Sequence, residues 1–385
     1  MQKTNKKNIL TSVSLLLLVL VIFALDNLPN VSPMLLTVLK KGSVYALVAV
    51  SMNLLNGFTG LFSLGQAGFM LVGAYTYAAL TIPVDQQVTV YQRYENGGLG
   101  FSLAEIIPGS AGTAIGVVVA ILLGGLLAAI LAYLIGLPVL KLKSDYLAIA
   151  TLGFAEIVRS IVQYDKLGPI TNGSNLLYGF PNYNDCYLDI GGTTIKFGTV
   201  APFVMSGVCI FIIVLLINST YGRAFKAIRD DEIAAEAMGI NLAHHKKIAF
   251  AVSSFFAGVS GGLLAMYQAC AQATAFKVAM TYEILLIVVI GGIGSVSGSV
   301  IAAFLYVFSS EWWLRGLDEG TFLGISAPGI MRQGFRMVVF SVIIMVIVLF
   351  FRRGLMGDRE LPAVIAGWKA RLKKKTGDRK AGAAK

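Results

Sequence analysis

Long apolar runs separated by short polar segments dominate the chain. Uninterrupted apolar runs predict eight membrane-spanning helices, at about 9–25, 42–56, 67–82, 110–136, 146–163, 199–217, 248–270 and 334–351. A further apolar stretch, 282–313, is interrupted by Gly291, Gly292, Gly294 and Gly298. Backbone freed by such a break must be buried in protein or line a cavity. The predicted fold class is an all-α polytopic membrane protein with about eight transmembrane helices plus one Gly-broken re-entrant hairpin.

Composition supports the bilayer as the solvent. Of the 385 residues, 56% are hydrophobic and 13% are charged, whereas soluble domains carry about 25% charged residues. Eight crossings of about 20 residues each leave too little chain for a large soluble catalytic domain. The three cysteines form no C-x-x-C pair, and the only histidines are adjacent. We therefore predict no disulfide framework, no metal site, no cofactor and no catalytic residue, and a membrane-embedded enzyme lacks the clustered polar residues it would need.

Basic residues predict the orientation. With the N-terminus inside, the cytoplasmic segments hold 21 of the 31 Lys and Arg, provided that the Gly-broken stretch does not cross fully. Both termini are thus predicted to be cytoplasmic, and the first apolar run is retained as an anchor. The basic tail favours anionic lipid over nucleic acid. The predicted units are an N-terminal tail with the first anchor (1–40), a transmembrane domain (41–356) and a basic cytoplasmic tail (357–385).

A charged helix is predicted in the polar segment 218–247. It runs from Gly222 to Met238 with one apolar face, and Gly239 is typical of the residue just past a helix end. Bases come first and acids later, an order that the helix dipole disfavours. A partner surface complementing these charges would explain the order, and a solvated loop helix is the alternative. The apolar face comprises Ala224, Ile228, Ala235 and Met238.

Three other features bear on helix packing and on a path through the membrane. The glycine-rich turn 56–68 either borders a translocation path or is a plain turn, and the run 291–298 lacks P-loop spacing. Glu156 lies in an apolar span with Arg159 one turn later, so the two can pair. Small residues recur every fourth position in 112–132 and in 253–262, for packing within the chain or between subunits. The tentative path residues are Ser63, Gln66, Thr151, Glu156, Arg159, Gly292, Gly294 and Ser295, with Thr171, Asn172 and Ser174 at the outer lip.

Five segments stand out in order along the chain: 56–75 (NGFTGLFSLGQAGFMLVGAY), 144–159 (SDYLAIATLGFAEIVR), 171–175 (TNGSN), 221–241 (YGRAFKAIRDDEIAAEAMGIN) and 283–298 (EILLIVVIGGIGSVSG). Together they resemble a known family, the LivM-type permease subunits of branched-chain amino acid ABC importers. The resemblance extends over most of the chain from about residue 41 to 356.

The resemblance implies a plasma-membrane importer in which this chain has no nucleotide site of its own. Its partners would be a second homologous permease, two cytosolic ATPase subunits and an extracytoplasmic binding protein. The implied cargo is leucine, isoleucine or valine, with urea, short amides or other amino acids as alternatives. A secondary transporter is disfavoured because only one intramembrane carboxylate is apparent. The implied ATPase-coupling residues are Gly222, Arg223, Lys226, Ile228, Arg229, Asp230, Asp231, Glu232, Ala234, Ala235, Glu236, Ala237, Met238, Gly239, Ile240 and Asn241, although Ile233 replaces the glutamate of the family's Glu-Ala-Ala pattern.

Overall fold

Helices make up about 75% of the structure. The computed structural model describes residues 17–28, 31–94, 97–107, 109–142, 144–190, 193–314, 321–322, 325–326, 354–357 and 360, with isolated positions between 338 and 349. The helices are α1 Leu17–Asn27, α2 Pro33–Asn53, α3 Gln66–Thr81, α4 Val84–Val90, α5 Ser110–Val139, α6 Ser144–Val162, α7 Gly168–Thr171, α8 Val200–Asn218, α9 Thr220–Asp230, α10 Glu232–Ala237, α11 Leu242–Gln268, α12 Val278–Gly291 and α13 Val296–Val307. One π-helical turn, Leu54–Phe58, extends α2, and another, Phe308–Trp313, extends α13.

Within the described residues, the strands are short and lie between helices. Three antiparallel pairs join β1 Leu177–Tyr178 to β4 Cys270–Ala271, β2 Tyr187–Ile190 to β3 Thr193–Lys196, and β5 Thr321–Phe322 to β6 Ile325–Ser326. The all-α architecture predicted from the apolar runs is therefore confirmed.

The predicted number of spans is not confirmed. Within the described part of the chain, four helices are long and apolar enough to cross a membrane: α2 with its π-turn, α5, α8 and α11. Helix α6 and the helical residues Asp165–Thr171, bent by 60° after it, pass the same test only when the two are taken together as one span. Helix α2 starts at Pro33, well before the predicted residue 42, and the unit boundary predicted at residue 40 falls inside it. The last predicted span, 334–351, lies outside the described residues except for isolated positions.

The packing of α3, α5 and α11 explains the small-residue rows. A Cβ on Gly73 of α3 would overlap the carbonyl of Gly258 on α11. A Cβ on Gly124 of α5 would lie 2.9 Å from the Gly73 carbonyl oxygen. Such approaches require small residues, and they bring dispersion contacts where water provides no driving force. Of the two interpretations of these rows, packing within the chain is the one that the structure shows for these positions.

The Gly-broken stretch forms two helices, as predicted. Helix α12 ends at Gly291, and Gly292 has a φ of 111°, a conformation that favours glycine. Helix α13 begins after Ser295, whose hydroxyl accepts from the N–H of Gly298 at 3.1 Å. With 14 residues, α12 rises about 21 Å, less than the hydrocarbon thickness of about 30 Å. Its length agrees with the predicted half-helix.

Candidate coupling site

The polar segment after α8 holds two short helices, so the predicted single helix from Gly222 to Met238 is wrong. Asp231 interrupts it with an extended backbone, and its Oδ1 accepts from the N–H groups two and three residues later at 2.9 and 3.0 Å. A carboxylate is favourable at a helix N-terminus and a cation at a C-terminus. Arg229 stands in the last turn of α9, and Glu232 in the first turn of α10. The charge order therefore suits the two helices, and the dipole no longer argues for a partner.

The end of α10 agrees with the prediction from Gly239. Its φ is 84°, its N–H donates to the Glu236 carbonyl at 2.9 Å, and the N–H of Ile240 donates to the Ala235 carbonyl at 3.1 Å. This pair of bonds is the Schellman motif. Asn241 then starts α11, its side chain accepting from the third N–H beyond it at 3.0 Å.

Two large apolar side chains are exposed at α10. Ile233 is 82% exposed, and Met238, just after the helix, is 84% exposed, whereas Ile228 and Ala235 are buried. Met238 therefore does not lie on one face with Ile228 and Ala235 as predicted, because the break at Asp231 changes the helical register. Beside Ile233, α10 also exposes the charged side chains of Glu232 and Glu236.

The inner surface of α9 rests on the glycine-rich turn after α2. Phe225 and Ile228 are buried, and Lys226 Nζ lies 5.6 Å from the centre of the Phe58 ring. Arg229 donates from Nη1 to the Gly57 carbonyl at 3.2 Å, while its Nη2 contacts Asp230 at 2.9 Å. Arg229 thus joins the polar segment directly to the transmembrane bundle.

Asn53 holds that turn against the α12–α13 turn. Its Nδ2 donates to the Ser295 carbonyl at 2.9 Å and to Ser299 Oγ at 2.8 Å, and its Oδ1 accepts from the Gly294 N–H at 2.8 Å. Asn53, Ser295 and Ser299 are fully buried. A Cβ on Gly57 would lie 2.6 Å from the Gly294 nitrogen, so the two turns touch through their backbones. The path candidates Gly294 and Ser295 therefore lie at this junction.

The chain segment after residue 353 closes the other side of the α12–α13 turn. Leu355 N–H donates to the Ile290 carbonyl at 2.7 Å. The Glu360 carboxylate accepts from the backbone N–H of Val296 at 2.8 Å, which places an anion at the N-terminus of α13. Gly292, another path candidate, packs so closely that its Cβ would lie 2.6 Å from the carbonyl oxygen of Gly357.

The polar path candidates near α3 are packed inside the subunit. Ser63, Gln66 and Thr151 are each at most 2% exposed. Gln66 donates to Ser253 Oγ at 3.1 Å, and Thr151 accepts from the Leu64 N–H at 3.0 Å. These side chains form hydrogen bonds with backbone and side-chain groups where the helix is interrupted. Their role in a path stays a prediction.

Glu156 and Arg159 form the predicted pair, with Nε of the arginine 3.0 Å from both carboxylate oxygens. The pair is at the subunit surface and not internal, since the Glu156 side chain is 44% exposed and that of Arg159 is 19% exposed. The surrounding side of α6 is a shallow groove of about 530 Å³ that extends to Tyr164. Of the two charged path candidates, Glu156 lines this open groove.

The three lip candidates lie beyond the C-terminal end of α6. Asn172 is buried with a φ of 58°, and its Nδ2 donates to the Val90 carbonyl at 3.0 Å and to the Leu176 carbonyl at 2.9 Å. Thr171 donates to the Leu167 carbonyl, and Ser174 is exposed. Asn172 therefore fixes the loop, and Ser174 is the accessible member.

Comparison with known proteins decides the family. The sequence model of the family described as "Branched-chain amino acid transport system / permease component" matches residues 34–350. The chain belongs to this family. The permease is 32% identical over 302 residues to the high-affinity branched-chain amino acid transport system permease protein LivM of Escherichia coli, an alignment that covers 73% of this chain and 63% of that protein. The chain thus spans less than two thirds of the length of that relative.

More distant relatives are also transport proteins. The probable branched-chain amino acid transport permease protein LivM of Methanocaldococcus jannaschii is 28% identical over 284 residues, covering 69% of this chain and 76% of that protein. The L-arabinose transport system permease protein AraH of Escherichia coli is 28% identical over 208 residues, covering 51% of this chain and 58% of that protein. No solved structure matches the permease.

Sequence reasoning missed charged groups of the permease within its apolar segments. Lys41 of α2 forms an ion pair with Glu311, and Lys41 Nζ also lies 5.6 Å from the centre of the Tyr45 ring. Glu283 of α12 accepts a hydrogen bond from the Tyr306 hydroxyl. Glu156 is therefore not the single carboxylate within the apolar helices, because Glu283 lies in α12. The signal available in the sequence was the presence of these charged residues inside otherwise apolar runs.

Proposed function

We propose that the chain is the membrane-spanning permease subunit of an ATP-driven importer for branched-chain amino acids. Family membership and the two LivM relatives support this function, and the multi-pass helical architecture suits it. In this proposal the chain hydrolyses no ATP. It works with a second permease, two cytosolic ATPase subunits and an extracytoplasmic binding protein, and its basic tail contacts anionic lipid.

The contact of α9 with the glycine-rich turn after α2, which itself touches the α12–α13 turn, is the observation that carries the coupling role. An ATPase subunit that moves α10 would act on Arg229, which binds the Gly57 carbonyl, and thereby on the junction held by Asn53. The exposed Ile233 and Met238 are the groups most suited to enter a groove of the ATPase. Mechanical force would thus pass from the polar segment to the ends of α2, α12 and α13.

We propose that α9 and α10 face the cytoplasm, with both chain termini on that side. The basic residues of the predicted cytoplasmic segments support this orientation. The path of the chain supports the position of the N-terminus. Asn27, at the end of α1, bonds to the backbone of Lys196, which precedes α8, whereas α9 follows the opposite end of α8.

Reconstitution tests the function. The purified complex with its binding protein should take up leucine, isoleucine or valine into vesicles containing ATP, and loaded binding protein should stimulate hydrolysis. Urea and acetamide serve as competitor solutes that test the alternative cargo. Ion-driven uptake by the single chain, or uptake of urea without that of any branched-chain amino acid, would overturn the proposal.

A second experiment tests whether Ile233 and Met238 form the surface that binds the ATPase. Ile233→Asp should abolish co-purification of the ATPase subunits, because it places a charge in an apolar contact. Val88→Asp is the matched control, since Val88 lies on α4 and is 78% exposed. Retention of the ATPase subunits by Ile233→Asp, or equal loss in the control, would contradict the assignment of α10.

A further inference from the structure

A short strap, formed by residues 354–357 and 360, lies against the break between α12 and α13. The N–H of Leu355 donates to the Ile290 carbonyl at 2.7 Å. The N–H of Met356 donates to the Gly291 carbonyl at 3.2 Å. These are the last two carbonyls of α12, for which an α-helix provides no internal partner. The strap therefore completes the C-terminus of α12.

Glu360 completes the N-terminus of α13 in the same way. Its carboxylate accepts from the N–H of Val296 at 2.8 Å, from the N–H of Ser297 at 3.1 Å and from the Ser297 hydroxyl. These are the first two N–H groups of α13, and the third, that of Gly298, donates to Ser295 Oγ. The partial positive charge of a helix N-terminus stabilises a carboxylate at this position. One short segment thus satisfies backbone groups of both helices that meet at the break.

Backbone packing reinforces these bonds. A Cβ on Gly354 would lie 2.7 Å from the Gly292 nitrogen, and a Cβ on Gly292 would lie 2.6 Å from the Gly357 carbonyl oxygen. Glycine at these positions lets the strap approach the turn directly. Moving the turn off the strap therefore breaks the hydrogen bonds of four backbone groups in α12 and α13, which is unfavourable.

The opposite side of the same turn faces the polar segment. Asn53 Oδ1 accepts from the Gly294 N–H at 2.8 Å, and a Cβ on Gly294 would lie 3.3 Å from Arg229 Nη1. The turn is thus held from two sides, by the strap and by the junction through which α9 and α10 act on it. Any movement that the polar segment transmits to the turn has to compete with the strap.

We propose that Glu360 is a positioning residue that holds α13 in the resting arrangement of the importer until loaded binding protein arrives. A carboxylate binds N–H groups more strongly than a neutral amide does, so the negative charge of Glu360 is the holding element. Weakening this contact shifts the population toward the arrangement that supports ATP hydrolysis. This inference rests on the proposed function and adds to it a contact that regulates hydrolysis.

The test measures ATP hydrolysis by the reconstituted complex with and without loaded binding protein. Glu360→Gln keeps the size and removes the charge, so basal hydrolysis should rise about fivefold and the stimulated-to-basal ratio should fall by a similar factor. Glu360→Asp retains the charge and should raise basal hydrolysis less. Ser297→Ala removes only the hydroxyl contact and should also raise it less than Glu360→Gln does.

Asp26→Asn is the matched control. The Asp26 carboxylate makes the same kind of contact at the start of α8, accepting from the Thr199 N–H at 2.9 Å and from the Thr199 hydroxyl at 2.8 Å. This end of α8 is opposite to the end that α9 follows. Asp26→Asn should therefore leave basal hydrolysis at the wild-type level even where it lowers stability, because a merely structural contact does not change the resting arrangement.

The outcomes separate regulation from structure. Wild-type basal hydrolysis in Glu360→Gln would overturn the proposal, as would an equal rise in Asp26→Asn or a fall in both basal and stimulated hydrolysis with intact assembly. If Glu360→Gln does not assemble, unchanged basal hydrolysis in both Glu360→Asp and Ser297→Ala would overturn it. Absence of leucine uptake by the wild-type importer would instead refute the proposed function.

Discussion

Replacing Asn53 by alanine should loosen the junction on which the polar segment rests. The substitution removes three hydrogen bonds of 2.8 to 2.9 Å. The Ser295 carbonyl still accepts from Ser299 Oγ at 3.1 Å, so the Gly294 N–H is the group that loses its bond. A buried unpaired N–H costs about 1–3 kcal/mol, and lost net hydrogen-bond energy adds about 0.5–1.5 kcal/mol per bond. With the Gly294 N–H counted as unpaired and the other two bonds as lost, we expect the free energy of unfolding to fall by about 2–6 kcal/mol.

Unfolding in mixed detergent micelles measures this change. Thr76→Val is the control, because Thr76 is partly buried and its hydroxyl donates only to its own helix, to the Val72 carbonyl at 2.7 Å. The control should change stability by less than about 1 kcal/mol. The reasoning is refuted if Asn53→Ala is no less stable than Thr76→Val. The same variant should also show weaker stimulation of ATP hydrolysis by loaded binding protein.

Three further substitutions separate coupling from stability. Arg229→Ala removes the bond to the Gly57 carbonyl and should reduce stimulated ATP hydrolysis severalfold with normal assembly. Full stimulation would contradict the proposal that Arg229 transmits movement from α10 to the junction. Gly239→Val forces a β-branched residue to a φ of 84°, at a cost of about 1–2 kcal/mol or more, and should uncouple hydrolysis from uptake, whereas Gly239→Asn should be tolerated. Arg159→Ala should lower stability by less than about 1 kcal/mol in the unfolding assay, because its ion pair is partly exposed, and a larger loss would show a buried role.

Local patterns predicted much of the architecture. A membrane helix needs an unbroken apolar run, and that requirement is visible in sequence without knowledge of its neighbours. The break at Gly292 and the helix end at Gly239 were predictable for a similar reason, because the ability to adopt a positive φ is a property of glycine itself. The small-residue rows predicted close packing, although they did not identify the partner helix.

The break at Asp231 was only partly visible in the sequence. Asp is a common N-cap residue, but an apolar periodicity that continued from Ile228 to Ala235 favoured one long helix. The structure decides for two helices because α9 packs on the glycine-rich turn and α10 projects away with Ile233 exposed. Tertiary contact overrode the periodicity.

The sequence by itself determined the apolar helices, the positions where glycine must end them, and the family. Only the tertiary structure decided that Asn53 joins two turns about 240 residues apart in the chain, that Glu156 is on an open surface, and that Lys41 pairs with Glu311. The physical reason is range: helix formation and backbone conformation depend on neighbours within a few residues, whereas hydrogen-bond and charge partners are set by how distant helices pack.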